Sequence, residues 1–199
     1  MNFVVLSSSS GTTFQAVIDR IADGALKAKC LGLIADSEDR VCVQKARDAG
    51  INVVIVERSK GEDREEYNQR LDEEIRKLGE VDTIAALGWM WILTSWFVHK
   101  WHGRIVNVHP ALLPKYPGAH GIVDAMAAGE TETGMTIHII DEGVDTGPIL
   151  VQKSCSINPD DTESTLKDRI QSLEKEWYPK VLQMIEDGEI EIPFKDDQK

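Results

Sequence analysis

Asn107 and His109 stand two residues apart at the end of an apolar run, in the stretch RIVNVHPALLPKYPG from Arg104 to Gly118. Residues two apart on a strand point to the same face. An amide donor beside an imidazole on one face can polarise a carbonyl and shuttle a proton. Pro110, Pro114 and Pro117 follow and stiffen the chain next to the pair. A lone histidine is more often structural, but the asparagine at this spacing favours chemistry. A second stretch, DEGVDTG from Asp141 to Gly147, has two readings. It is a solvated hairpin, or it supplies an aspartate that orients and charges a histidine.

SSSSGTT, from Ser7 to Thr13, lies between an apolar run and a helical pattern. Backbone N–H groups and hydroxyls at such a helix N-terminus can hold a phosphate. The stretch is neither Gly-x-Gly-x-x-Gly nor the Gly-Lys of a P-loop, so one phosphate suits it better than a dinucleotide or triphosphate. An ordinary capped turn is the other reading. WMWILTSWFVHKWHG holds Trp89, Trp91, Trp96 and Trp101. Most of these read as packing, while Trp89 to Leu93 could wall a flat heterocycle. His99 and His102 are three apart with no third ligand in sequence, so no metal site is expected.

The elements that must position these residues are legible. Apolar runs at Phe3–Leu6, Leu31–Ala35, Asn52–Val56, Thr83–Leu87 and Arg104–Val108 read as strands. Helical patterns separate the first four: TFQAVIDRIADG, VQKARDAG and EEYNQRLDEEIRKLG. Near-continuous apolar strands alternating with helices predict an α/β fold, a doubly wound, mostly parallel sheet with helices on both faces. After His109 the pattern changes. HGIVDAMAAGE reads as a short helix, then TGMTIHII and PILVQKSCSI as two strands joined by DEGVDTG. Antiparallel strands are therefore expected toward the C-terminus. Thr162 reads as the N-cap of a long helix running toward Met184, and the KDDQK tail is expected to fray. With no linker or repeat, residues 1–199 read as a single domain.

The 199 residues carry a net charge of −12 and a sequence pI near 4.8. The average field repels polyanions, so no nucleic-acid partner is expected; a small phosphorylated substrate needs only a local site. There is no apolar run of about 18 residues and so no membrane span. MNFVVLSSSS reads as a first strand rather than a signal peptide. Cys30, Cys42 and Cys155 are odd in number and widely spaced, which suits buried free thiols in a reducing cytoplasm.

NVHPALLPKYPG, with DEGVDTGPIL about thirty residues later, resembles the folate-dependent formyltransferases. The likeness runs from Met1 to about Gly188 and is nearest to members that formylate glycinamide ribonucleotide. It implies a Rossmann-like formyltransferase fold, 10-formyltetrahydrofolate as the formyl-donor co-substrate, no metal, small-molecule substrates, and a monomer or homodimer. It implies Asn107, His109 and Asp145 as the catalytic residues. Asn107 would hold the formyl oxygen, His109 would transfer protons and Asp145 would charge the histidine. It places Ser10, Gly11, Thr12, Thr13, Gln171 and Glu174 at the ribonucleotide. On the folate side it places Arg64, Met90, Trp91, Ile92, Leu93, Asp141 and Val144. Two departures stand out. Family members usually carry Ser-Gly-x-Gly-Ser/Thr-Asn where this chain has Ser8 to Thr13, and Phe-Met-Arg-Ile-Leu where it has Trp89 to Leu93. The alternatives are formylation of another amine, such as a nucleotide-linked amino sugar, and a non-catalytic folate- or nucleotide-binding module.

Overall fold

A computed structural model describes residues 1–192; the KDDQK tail lies outside the described residues. In chain order the elements are β1 Asn2–Ser7, α1 Thr12–Ala22, β2 Lys29–Ala35, α2 Val41–Asp48, β3 Val53–Ile55, α3 Arg64–Lys77 and β4 Thr83–Ala86. There follow α4 Ser95–Lys100, β5 Ile105–His109, α5 Gly121–Ala127, β6 Glu132–Ile139, β7 Ile149–Ser156 and α6 Glu163–Glu186. One sheet runs β3-β2-β1-β4-β5-β6-β7. The first five strands are parallel, and β6 and β7 are antiparallel. This is the doubly wound, mostly parallel sheet expected, with its antiparallel end.

Strand alternation assigns the two faces. On β1, Phe3 and Val5 pack with Phe14 and Val17 of α1, Cys42 and Ala46 of α2, and Leu166, Tyr178 and Leu182 of α6. Val4 and Leu6 pack the other way, onto Tyr67, Leu71 and Ile75 of α3 and Phe97 and Trp101 of α4. All of these are fully or nearly fully buried, and each large side chain contributes about 1.5–3 kcal/mol of burial. Tyr178 ties α6 to the sheet, its hydroxyl donating to the Val106 carbonyl at 2.8 Å.

Caps set the helix starts. Asp63 accepts from the Glu65 amide ahead of α3, and Thr162 forms a capping box with Thr165 ahead of α6. The short helix α4, capped by Thr94, does not show in the sequence pattern. Its aromatic-rich run gives no clear apolar stripe over only six residues. Of the thiols expected to be buried, only Cys42 is; Cys30 and Cys155 are half-buried, and all three are free. Burial pushes the Cys30 thiol up to about 12, which leaves it unreactive.

Candidate active site

Chain direction puts the ends of β1, β4 and β5 at one edge of the sheet, and the strand order reverses between β1 and β4. Such a switch point opens a crevice outside the carboxyl ends of the strands. The loop after β1 is Ser8–Gly11 and the loop after β4 begins at Leu87. Four bonds lace them together, one of them from Ser9 Oγ to the Leu87 carbonyl at 3.3 Å. The Ser8 amide donates to the Gly88 carbonyl at 3.1 Å, Ser7 Oγ to the Leu87 carbonyl at 2.8 Å, and the Met90 amide to Ser8 Oγ at 3.3 Å.

Gly11 is the N-cap of α1 at φ 69°. A Cβ there would lie 2.7 Å from Cys42 Cβ, so both the left-handed backbone and the packing demand glycine. The first-turn amides of α1 that follow have no intrahelical acceptor and form an anion-ready terminus. Thr13 Oγ1 donates to Glu174 Oε2 at 2.9 Å, which binds this loop to α6. Burial holds the Glu174 carboxyl above the ordinary range, and the Thr13 hydrogen bond only partly offsets it. Gln171 lies one turn earlier on α6, half-buried. Ser9, where the family usually has glycine, takes the Gly11 amide on its Oγ at 3.1 Å. Lys45 of α2 donates to the Gly11 carbonyl at 3.0 Å, bringing to the loop a cation that sequence reading missed.

Asn107 and His109 do share a face of β5, and that face continues onto β6, where Asn107 pairs with His138 and His109 with Thr136. His138 is the residue the sequence reading overlooked. Its only signal was a histidine inside the otherwise apolar strand MTIHII. His138 Nδ1 lies 2.9 Å from the Ile139 carbonyl, so that nitrogen carries a proton. Its Nε2 lies 3.1 Å from Asn107 Nδ2, an amide nitrogen with two hydrogens, so one N–H of Asn107 is left for another acceptor.

Asp145 comes back over this face from the loop after β6. Its Oδ2 lies 3.3 Å from His109 Nδ1 and its Oδ1 3.4 Å from His138 Nε2, and the Gly118 amide donates to Oδ2 at 2.7 Å. Burial alone would raise the Asp145 carboxyl. The His138 contact, the Gly118 amide and the charge of His109 outweigh burial and hold it below the usual aspartate value. Asp145 adopts φ 54°, a left-handed backbone uncommon outside glycine. Gly147 makes the return possible, since a Cβ there would overlap the Ile139 carbonyl.

His109 is less open than its position at a strand end suggests. It is 4% exposed, and its Nε2 lies 2.8 Å from the Tyr116 carbonyl. The proline-rich loop covers it. Thr136 Oγ1 donates to the Ala111 carbonyl at 2.7 Å, the Leu113 amide donates to Thr136 Oγ1 at 3.1 Å, and Gln152 Nε2 donates to the Leu113 carbonyl at 2.6 Å.

The remaining expected residues separate into two groups. Arg64, Met90, Trp91 and Ile92 line one cavity of about 150 Å³, and Met90, Ile92 and Val144 expose large apolar surfaces. Leu93 instead packs against the core between α3 and α4. Asp141 spends its carboxylate on its own loop, accepting from Thr146 Oγ1 at 2.7 Å and from the Gly143 amide at 3.1 Å. His99 faces Glu142 at 3.1 Å. No group of three or more metal-ligating side chains occurs among the described residues.

The formyl transferase family profile matches residues 1–182. The chain belongs to the formyl transferase family. Within it, the chain is 34% identical to the phosphoribosylglycinamide formyltransferase of Bacillus subtilis, over 92% of this chain and 93% of that one. It is 41% identical to the trifunctional purine biosynthetic protein adenosine-3 of Drosophila melanogaster over 92% of its length, and it spans 14% of that larger protein. Among solved structures it resembles the phosphoribosylglycinamide formyltransferase of Coxiella burnetii, with a TM-score of 0.89 and 36% identity. That match covers 94% of this chain and 88% of that one. The seven-stranded sheet with its antiparallel end is thus the formyl transferase fold. Among the described residues no helix is long and apolar enough to cross a membrane.

Proposed function

We propose that this chain is a single formyltransferase domain that moves the formyl group of 10-formyltetrahydrofolate to the amine of glycinamide ribonucleotide, a step of purine biosynthesis. The observation that carries the proposal is the polar chain Asn107–His138–Asp145–His109, laid across β5 and β6 beside a phosphate-ready helix terminus. A binding module has no need of a carboxylate aimed at the histidine beside a free amide donor.

The chemistry follows from the groups. The amine nitrogen of the acceptor attacks the formyl carbon, and the carbonyl electron pair moves onto oxygen. The free N–H of Asn107 Nδ2 donates to that oxyanion, a role worth about 10²–10³ in turnover for one such donor. His109 assists the oxyanion, gives a proton to N10 of the folate as the C–N10 bond breaks, and takes one back from the acceptor amine. For this, His109 Nε2 must exchange the Tyr116 carbonyl for the reacting groups. Asp145 stays ionised and faces His109 Nδ1, holding the ring in place. The phosphate rests on the first turn of α1 at Thr12 and Thr13, with Ser10 and Gly11 shaping the approach and Gln171 and Glu174 at the sugar. Arg64, Met90, Trp91, Ile92 and Val144 meet the folate; Leu93 and Asp141 support those loops. The acidic net charge supports small-molecule substrates over nucleic acid.

Formyl-labelled 10-[¹³C]formyltetrahydrofolate tests the proposal. With glycinamide ribonucleotide present, the label is expected in a new formamide. Label that stays on folate or appears as formate overturns the proposal.

A further inference from the structure

Position 9 sets this chain apart from its family, which usually carries glycine where Ser9 stands. The serine gives the loop after β1 a side chain at the point where the loop after β4 passes against it. The approach is close. Gly88 adopts φ 73°, and a Cβ on it would lie 2.8 Å from Ser9 Cβ and 2.9 Å from Ser9 Oγ. Glycine at position 88 makes room for serine at position 9.

Ser9 Oγ meets polar groups from both loops. It accepts from the Gly11 amide at 3.1 Å, lies 3.0 Å from Ser7 Oγ and reaches the Leu87 carbonyl at 3.3 Å. Ser7 Oγ reaches the same carbonyl at 2.8 Å. Two hydroxyl protons and one shared carbonyl allow two arrangements. Either Ser7 donates to Leu87 and Ser9 to Ser7, or Ser9 donates to Leu87 and Ser7 to Ser9. In both, Ser9 Oγ keeps a lone pair for the Gly11 amide. A line of hydrogen bonds therefore runs unbroken from the mouth of α1 to the end of β4, and bonds in such a line polarise one another. The Met90 amide on Ser8 Oγ and the Ser8 amide on the Gly88 carbonyl carry the tie onward into the loop after β4. Glycine at position 9 makes none of these side-chain bonds.

We propose that Ser9 is a positioning residue that couples the two substrate loops, so that each substrate tightens the binding of the other. The inference rests on the function proposed above, in which the ribonucleotide phosphate sits at the start of α1 and the folate meets the loop after β4. A phosphate there fixes Gly11, Gly11 fixes Ser9, and Ser9 holds Leu87 and Gly88 at the root of the folate loop. Whichever substrate binds first meets the ordering cost for both. By linkage the effect is equal in either order.

Glycinamide ribonucleotide and tetrahydrofolate, which carries no formyl group to transfer, test it by calorimetry. Each Kd is measured alone and with the other ligand saturating, in the parent chain, Ser9→Ala and Ser9→Gly. In the parent, each ligand is expected to lower the Kd of the other about fivefold, the effect of one neutral hydrogen bond. In both variants that ratio should fall to unity. The ratio is the readout because a residue that only supported one loop would change a Kd and leave the ratio alone. A parent ratio of unity, or variants that keep the parent's ratio, overturns the proposal. Should either ligand fail to bind the parent, the proposed function fails, and amide hydrogen exchange still decides whether Ser9 ties the loops. Ser9→Ala is expected to speed exchange at Gly11 and, across the gap, at Met90; unchanged exchange at Met90 overturns the proposal.

Discussion

Asp145 and His109 face each other at 3.3 Å across the gap between the loop after β6 and the end of β5. On the far side of the same imidazole, Nε2 meets the Tyr116 carbonyl at 2.8 Å. Both ring nitrogens thus face oxygen atoms, which fixes the orientation of the ring. His109→Ala and Asn107→Ala should therefore lower turnover about 10²–10⁴-fold, the range of one acid–base or oxyanion group, with little change in ribonucleotide KM. Steady-state kinetics with both substrates varied checks this, and near-normal turnover in His109→Ala removes the assignment.

Asp145 also makes an acid-stability prediction. Its folded value lies below the ordinary aspartate value of about 3.9, so the folded state binds its proton more weakly than the unfolded chain. The stability it contributes is complete above the ordinary value and is lost as pH falls through the depressed one. Asn tolerates a left-handed backbone, so Asp145→Asn isolates the charge. In urea titrations between about pH 5 and pH 2, the parent chain's advantage over Asp145→Asn should shrink. A gap that widens with acid contradicts the assignment.

Glu174 carries the opposite sign. Its folded value is raised, so the folded state is favoured with the carboxyl protonated and loses stability as pH rises from the ordinary value of about 4.3. Glu174→Gln stays neutral, and its amide carbonyl still accepts from Thr13. The variant is expected to be more stable than the parent at pH 7 and equal to it in acid, at a cost in ribonucleotide KM. Denaturation midpoints at the two pH values decide it; a less stable Gln variant at pH 7 refutes it.

Much of this was legible from period and punctuation alone. The five parallel strands showed as continuous apolar runs because both of their faces are buried. Thr162 showed as a cap because its hydroxyl has a local task. Asn107 and His109 showed because polar side chains at a strand end break the pattern. His138 did not show, because its partners lie across the sheet and only register brings them together. The tie through Ser9 was equally hidden. It depends on Leu87 and Gly88 arriving from the end of β4, a contact no local pattern records. The covering of His109 by the proline loop depends on Thr136 and Gln152, again from other strands.

Gly11 tests the phosphate loop. Alanine there meets both a left-handed φ, costing about 1–2 kcal/mol, and the Cys42 Cβ. Gly11→Ala should lower the melting temperature and raise the ribonucleotide KM more than the folate KM. Equal effects on the two KM values would place the phosphate elsewhere.

The most direct measurement of the central claim is a comparison of acceptors at one pH and salt with 10-formyltetrahydrofolate as donor. Specificity is the ratio of kcat/KM values, so each acceptor must be varied from well below its KM upward. Glycinamide ribonucleotide is expected to give the highest kcat/KM, well above a nucleotide-linked amino sugar and methionyl-tRNA. A higher kcat/KM for either alternative, or folate binding with transfer to none of them, would contradict the account.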